Sequence, residues 1–340
     1  MCFYDADGET LQLRDVGERS IIKKLGEIIG TDAIADDCAL LDIGKSYFVL
    51  LTTDTVSKRT HIPDGATPWQ IGYYACAVNL SDIAAKGGFP VGLLFATSYP
   101  PDSELEVVLE ITRGLADCAN IYGTSVIGGD TKEGCDITIT GIAVGKVKKT
   151  MLMRRKGAMP GDVLYTTGTV GRGGTAMVKL LNNTDTQIAT RELLEIEPRI
   201  TLARQIARTG CVTSAMDTSD GLASALYQLA EINDVGFQVE WEENNFPLYK
   251  DAVRVSRAFN IPLTDFIFYG GDYEVVFTVR GEVHQEFEKK CRRLHLPVTR
   301  IGTVTNKKGV VLLKDGRISS IPNSGYEHFS ATHTLPVLKK

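Results

Sequence analysis

Seven aspartates stand where aspartate is uncommon. Asp36 and Asp37 precede an apolar run in IADDCALL, Asp54 ends an apolar strand in LLTTDT, and Asp82 lies inside the apolar helix AVNLSDIAA. Asp130 ends a strand in SVIGGDT, and Asp217 and Asp220 fall in AMDTSDGL. Most acidic side chains lie on solvated surfaces. A carboxylate in apolar surroundings needs a partner, because two like unit charges about 4 Å apart repel by about 4 kcal/mol at an effective dielectric near 20. Too few embedded Lys or Arg residues accompany these segments to supply that partner. Divalent metal is the natural solution, and hard carboxylate and hydroxyl oxygens suit Mg²⁺. Singly, several of these residues have a bland explanation. Asp217 can be a helix N-cap, Asp130 a turn residue after two glycines, and Asp36 and Asp37 part of an ordinary loop. Asp82 has no capping role in mid-helix. Mg²⁺ held by several aspartates fits phosphoryl transfer, where catalysis is mostly positioning and charge neutralisation.

The elements that must position these residues follow from hydrophobic spacing. Residues 20–30 read as a helix, 47–55 as a buried strand running into a polar turn, and 68–87 as a helix with Pro near its first turn. VGLLFATSYP is a strand, 103–123 a second helix, and DITITGIAVGKV an alternating strand. Basic residues concentrate at 146–162, which ends in Pro-Gly and marks a domain boundary. Beyond it come the strand DVLYTTG, the helices GGTAMVKLL and PRITLARQIARTG, and a strand end, turn and helix in TSAMDTSDGLASALYQLAEIND. FIFYGGDYEVVFTV reads as strand, Gly turn and strand, and 241–264 as irregular. Interleaved strands and helices in both halves predict an α+β (mixed α/β) fold with domains at 1–150 and 151–340.

Bulk properties narrow the function. The chain has 340 residues, 42 acidic and 37 basic side chains, a formal net charge of −5, 43% hydrophobic and 23% charged residues. These are globular values, long enough for two domains with cores. The acidic balance argues against non-specific nucleic-acid binding and makes an anionic substrate awkward unless a cation is bound too. No apolar run is long enough for a membrane span, and the polar N-terminus does not read as a signal peptide. Seven cysteines, an odd count without C-x-x-C, predict buried free thiols and a reducing cytoplasm. There is no Walker loop. GTVGRGGTA opens a helix where amides can face an anion, although a plain strand-to-helix turn is the better reading. His61 lies on a polar turn beside Lys58 and Arg59. Trp69, Tyr73 and Tyr74 read as core rather than as base-stacking groups.

At these motifs the sequence resembles the thiamine-monophosphate kinase family, in the superfamily of aminoimidazole ribonucleotide synthetase and selenophosphate synthetase. GERSII, ADDCALL, TTDT followed by His61, AVNLSDIAAKGGFP, IGGDT, PGDVLYTTGTVG, MDTSDGL, GGDYEVVFTV and GYEHF carry it nearly end to end. The resemblance implies ATP as co-substrate, thiamine monophosphate as acceptor, direct transfer without a phosphoenzyme, and several Mg²⁺ ions bridging the phosphates. It also implies a homodimer with ATP near the interface of the N-terminal domains. Carried over by position, Asp37, Thr52, Thr53, Asp54, Asp82, Asp130, Asp217 and Asp220 are metal ligands. Gly129, Asp130, Arg155 and Ser219 contact nucleotide, while His61, Asp272 and Tyr326 contact the acceptor. The chain departs from the pattern at Ala35, where the family has Gly, at the GGDYE turn, one residue shorter, and at Asn323 and Ser324, where an aromatic is usual. These departures lie on the acceptor side. The alternatives are another ATP-using member of the superfamily, or a non-catalytic nucleotide-binding homologue. Cys2 lacks the context of a selenophosphate synthetase cysteine, and the ending VLKK lacks that of a hydrogenase-maturation dehydratase.

Overall fold

The computed structural model describes residues 12–242, 245–266, 269–323 and 325–329, the side chains of 32 and 33 apart. Cys2, Ser324 and residues 330–340 lie outside the described residues. Strands β1 (Ala39–Asp42), β2 (Tyr47–Ser57), β3 (Phe89–Tyr99), β4 (Val126–Glu133) and β5 (Thr138–Lys148) form one sheet in the order β1-β2-β5-β3-β4. In it β3 and β4 pair in parallel and the other pairs are antiparallel. Alternation decides the faces. Leu50, Thr52 and Val56 of β2 are buried while Thr53 and Thr55 are exposed, as in a strand covered on one side. Asp54 and Asp130 do not end their strands. β2 runs on to Ser57 because its ladder with β5 continues to Thr138, and β4 runs on to Glu133 beside Tyr99.

The covering helix is Pro68–Ala85. Thr67 and Gln70 exchange hydrogen bonds of 3.0 and 3.2 Å in a capping box, with Pro68 at the first helical position. It is buried on nearly all sides, from Ile71 to Ser81 and again from Ile83 to Ala85. Such a helix belongs between two bodies. The first sheet and the helix Leu105–Ile121 pack on it from one side. The crossing of the two helices is close, because a Cβ at Gly72 would collide with the Ile111 carbonyl and one at Gly114 with that of Trp69.

Strands β6 (Val163–Thr167), β7 (Val212–Asp217), β8 (Gly236–Trp241), β9 (Val275–Val279), β10 (Val298–Thr305), β11 (Gly309–Lys314) and β12 (Arg317–Ser320) form a second sheet, ordered β12-β11-β8-β10-β6-β9-β7. The fold is α+β. Its edge strand β7 packs against the Pro68–Ala85 helix. One core therefore runs through both sheets, joining Leu50, Ile83 and Phe95 to Tyr165, Ala215 and Phe277. Two readings from sequence are corrected. Phe266 closes a helical turn, Leu263–Phe266, instead of opening a strand; residues 267 and 268 lie outside the described residues. The irregular stretch contains a helix, Ala252–Phe259, whose apolar residues Ala252, Val255 and Phe259 share a face. Cys38, Cys76, Cys118 and Cys291 are buried free thiols, Cys211 is half-buried and Cys135 exposed. Tyr73 and Tyr74 are core residues.

Candidate active site

Five segments end at the seam between the two sheets. The loop before β1 brings Asp36 and Asp37, β2 brings Thr52 and Asp54, and the Pro68–Ala85 helix brings Asn79, Ser81 and Asp82. The linker brings Arg155, and β7 with the turn after it brings Asp217, Ser219 and Asp220. Asp37, Asp82 and Asp217 each offer a carboxylate oxygen, all within 4.8 Å of one another. Asp217 is not an N-cap: the helix after it begins at Leu222 with Gly221 as its cap. Its carboxylate is clamped by Ser81 Oγ at 2.7 Å from one domain and Ser219 Oγ at 2.9 Å from the other. Thr52 Oγ1 donates to Asp82 Oδ2 at 2.5 Å, and Asn79 Oδ1 accepts from the Asp54 amide at 3.1 Å.

The electrostatics divide the carboxylates into two groups. Burial, and then the neighbouring acids, push Asp54 up to about 6 and Asp220 up to about 7. The same causes raise Asp217, and raise Asp82 well above the carboxylate range. Burial opposes the charge on Asp37 as well, but Arg155 and Lys86 more than offset it and its carboxyl lies below the usual value. Arg155 Nε reaches Asp37 Oδ1 at 2.7 Å and its Nη2 bonds the same oxygen. Lys86 pairs with both Asp36 and Asp37. The expectation of too few embedded cations is thus corrected: two are present, and both serve the Asp36–Asp37 side. Asp37 Oδ2 is buried without an aligned hydrogen-bond donor, and the Lys86 ammonium lies 2.6 Å from it. This donor set, all oxygen, largely withdrawn from solvent and, beyond Asp36 and Asp37, without a salt-bridged cation among the described residues, fits Mg²⁺.

Residues 35–147 match the family model "AIR synthase related protein, N-terminal domain" and residues 159–315 its C-terminal counterpart. The thiamine-monophosphate kinase of Methanospirillum hungatei is 32% identical over 311 residues, covering 92% of this chain and 99% of that one. That of Bacillus subtilis is 32% identical, covering 87% and 93%. The chain belongs to the thiamine-monophosphate kinases of the AIR synthase related family. The solved structure "AaThiL complexed with AMPPCP and TMP" superposes with a TM-score of 0.83 at 25% identity, covering 94% of this chain and 99% of that one.

Not every residue matched to a thiamine-monophosphate kinase position reaches the seam. Asp130 is the main exception. In the cross-strand row Thr55–Thr140–Ala96–Asp130 it lies on the uncovered face of the first sheet, on edge strand β4. That is three strands from β2, roughly 14 Å at the usual strand spacing. Its side chain is 60% exposed, with Lys132 at 3.3 Å. Gly129 lies beside it, and Thr53 is on the same outer face, its hydroxyl bonded to the Gly141 carbonyl at 2.8 Å. Asp272 is also turned away. It is buried, and its carboxylate accepts from the amides of Gly171 at 2.7 Å and Gly173 at 2.9 Å. It therefore occupies the amides that the glycine-rich turn GTVGRGG otherwise offers to an anion.

His61 and Tyr326 do meet. Their rings, with that of His328, form a cluster with centroid separations of 4.8 to 6.4 Å. Burial and His328 hold His61 below its ordinary value. The Tyr326 amide donates to the Asp220 carbonyl at 3.1 Å, which joins this cluster to the acidic one. Sequence reasoning missed what holds it there. The Glu18 amide donates to the His328 carbonyl at 3.2 Å, the His328 amide donates to the Glu18 carboxylate at 2.9 Å, and the Arg19 amide donates to Glu327 Oε1 at 3.0 Å, so GERSII and GYEHF clasp each other. It also missed Lys86, although Asn79, Asp82 and Lys86 form a polar stripe at i, i+3 and i+7, readable on an otherwise apolar helix.

Proposed function

We propose that this chain catalyses ATP-dependent phosphorylation of thiamine monophosphate to thiamine diphosphate. The observation that carries it is the carboxylate cluster drawn from both domains, whose members repel one another when ionised and so suit a metal–polyphosphate. Asp54, Asp82, Asp217 and Asp220, with Thr52, would hold Mg²⁺, which when bound neutralises phosphate charge and aligns the reacting oxygens, while Arg155 and Lys86 neutralise Asp37. Ser81 and Ser219 fix the Asp217 carboxylate, and Arg155 fixes Asp37 while closing the seam. An acceptor phosphate oxygen forms a bond to the γ-phosphorus, the bond to the β-bridging oxygen breaks, and ADP leaves. The acceptor phosphate is already ionised near neutral pH, so no side chain has to remove a proton. His61, Tyr326 and His328 are the aromatic surface on which the acceptor would rest.

The placement of Asp130 supports a homodimer. The outer face of the first sheet carries Thr55, Leu94, Ala96, Thr140, Ile142 and Val144, small or apolar and, among the described residues, without a covering helix. If a second copy packs on it, Gly129 and Asp130 of that copy can reach this chain's site. Free buried thiols support a reducing compartment such as the cytoplasm. No helix among the described residues is long and apolar enough to cross a membrane. The test of the activity is direct: incubation of folded protein with Mg-ATP and thiamine monophosphate yields thiamine diphosphate by chromatography, and absence of product rejects the assignment.

A further inference from the structure

Lys86 is fully buried. It lies one residue beyond the Pro68–Ala85 helix and four after Asp82. Its ammonium donates to Asp36 Oδ1 and, across the seam, to the Ala215 carbonyl at 3.1 Å, and it meets Asp37 Oδ2 off-axis at 2.6 Å. The stem is tied at both ends of its own backbone unit: the Lys86 amide bonds the Asp82 carbonyl at 3.3 Å and the Lys86 carbonyl accepts from Met153 at 3.4 Å. A lysine this confined, with its charge used on every side, is a fixed part of the site. By contrast, no salt bridge reaches Asp54, Asp82, Asp217 or Asp220 among the described residues.

We propose that the Lys86 ammonium is a built-in cation of the acidic cluster: it fills a place on the Asp36–Asp37 side that a divalent ion would otherwise take, and lowers the number of Mg²⁺ ions held per chain by one. The reasoning is charge balance at short range. Asp37 Oδ1 is covered by Arg155 and Oδ2 touches the ammonium, so a further divalent ion on that side would meet two fixed like charges at short range. Asp54, Asp82 and Asp217 carry no such cation among the described residues, although Asp82 and Asp217 each bring an oxygen within 4.8 Å of one of Asp37. Lys86 is thus a positioning residue, acting on substrate through the carboxylates and not by contact. This inference rests on the metal–nucleotide reading of the site.

The test counts ions in the full-length protein, using Mn²⁺ as the probe and electron paramagnetic resonance to separate free from bound metal, with a non-hydrolysable ATP analogue present. Lys86→Met is expected to bind one more Mn²⁺ per chain than the wild type, and Lys86→Arg the same number as the wild type. Mg²⁺ is also expected to raise the thermal midpoint of Lys86→Met more than that of the wild type. Equal ion counts in Lys86→Met and wild type would overturn the role of Lys86 while leaving the kinase reading intact. No Mn²⁺ bound by the wild type would overturn both. Should Lys86→Met fold only with metal, recovery by Mn²⁺ but not by NaCl of equal ionic strength supports the proposal, and recovery by neither overturns it.

Discussion

Among single residues, the decisive contrast is between Asp37 and Asp220. Both are half-buried at the seam, yet Asp37 lies below the ordinary carboxylate range while Asp220 is pushed up to about 7. Arg155 and Lys86 serve the first; nothing of comparable strength serves the second. Asp220 therefore depends on a bound cation to hold its charge. Replacing it by Asn keeps the shape and removes the charge. Asp220→Asn is expected to lower kcat by about 100-fold or more, the loss typical of removing one electrostatic contact to a reacting group. The protein should stay as stable as the wild type or become more stable without metal, because an uncompensated buried charge is gone. Steady-state kinetics and denaturant unfolding check the two halves separately, and retained kcat would remove Asp220 from the site. The aspartates were legible in the sequence because Asp82, in mid-helix, has no capping role. Lys86 was passed over although it continues the Asn79–Asp82 stripe, because a lysine just ahead of Gly-Gly is the usual solvated end of a helix, favoured there by the helix dipole.

For the elements, the glycine-rich turn shows why a motif needs its surroundings. GTVGRGG ends β6 and opens the helix Arg172–Leu181, and amides there can hold a phosphate. The chain fills that place from within, through Asp272 of the GGDYE turn. Strand and helix were both readable from spacing; the occupant comes from about a hundred residues downstream, and no local pattern announces it. Burial raises Asp272 to about 7, and the amides of Gly171 and Gly173 offset only part of that. The native protein thus holds this proton more tightly than the unfolded chain. The contribution to stability is fully present below the unfolded value of 3.8 and is lost as pH rises through the folded value of about 7. Over some three pH units this is worth roughly 4 kcal/mol. Asp272→Asn does not titrate, so its stability should fall less steeply than that of the wild type between about pH 4 and 7. Denaturant unfolding at several pH values without metal measures the difference, and parallel curves would show that Asp272 is ionised throughout.

In the whole molecule, the site is a seam, and seams are what a single sequence shows least. Strands such as Tyr47–Ser57, Phe89–Tyr99, Thr138–Lys148 and Val163–Thr167 followed from apolar runs or alternation, and the Pro68–Ala85 helix from its early proline and apolar run, while the strands of 298–320 were not read. That this helix is buried by both domains at once, so that Ser81 reaches Asp217, is a tertiary fact without a local signal. Asp130 extends the same point beyond one chain. IGGDT reads as a site motif, yet it lies on the uncovered face of the first sheet, away from Asp37, Asp82 and Asp217. The proposed dimer reconciles the two if each site takes Asp130 from its partner. Mixing two inactive variants decides it. In a heterodimer of Asp82→Asn with Asp130→Asn, one site carries both defects and the other carries none. Random exchange makes half the dimers mixed, and each has one intact site of two, so activity should return to about a quarter of the wild-type value. If Asp130 served its own chain, both sites of the mixed dimer would carry a defect. The mixture would then be no more active than its components, with a single dimeric species confirmed by light scattering.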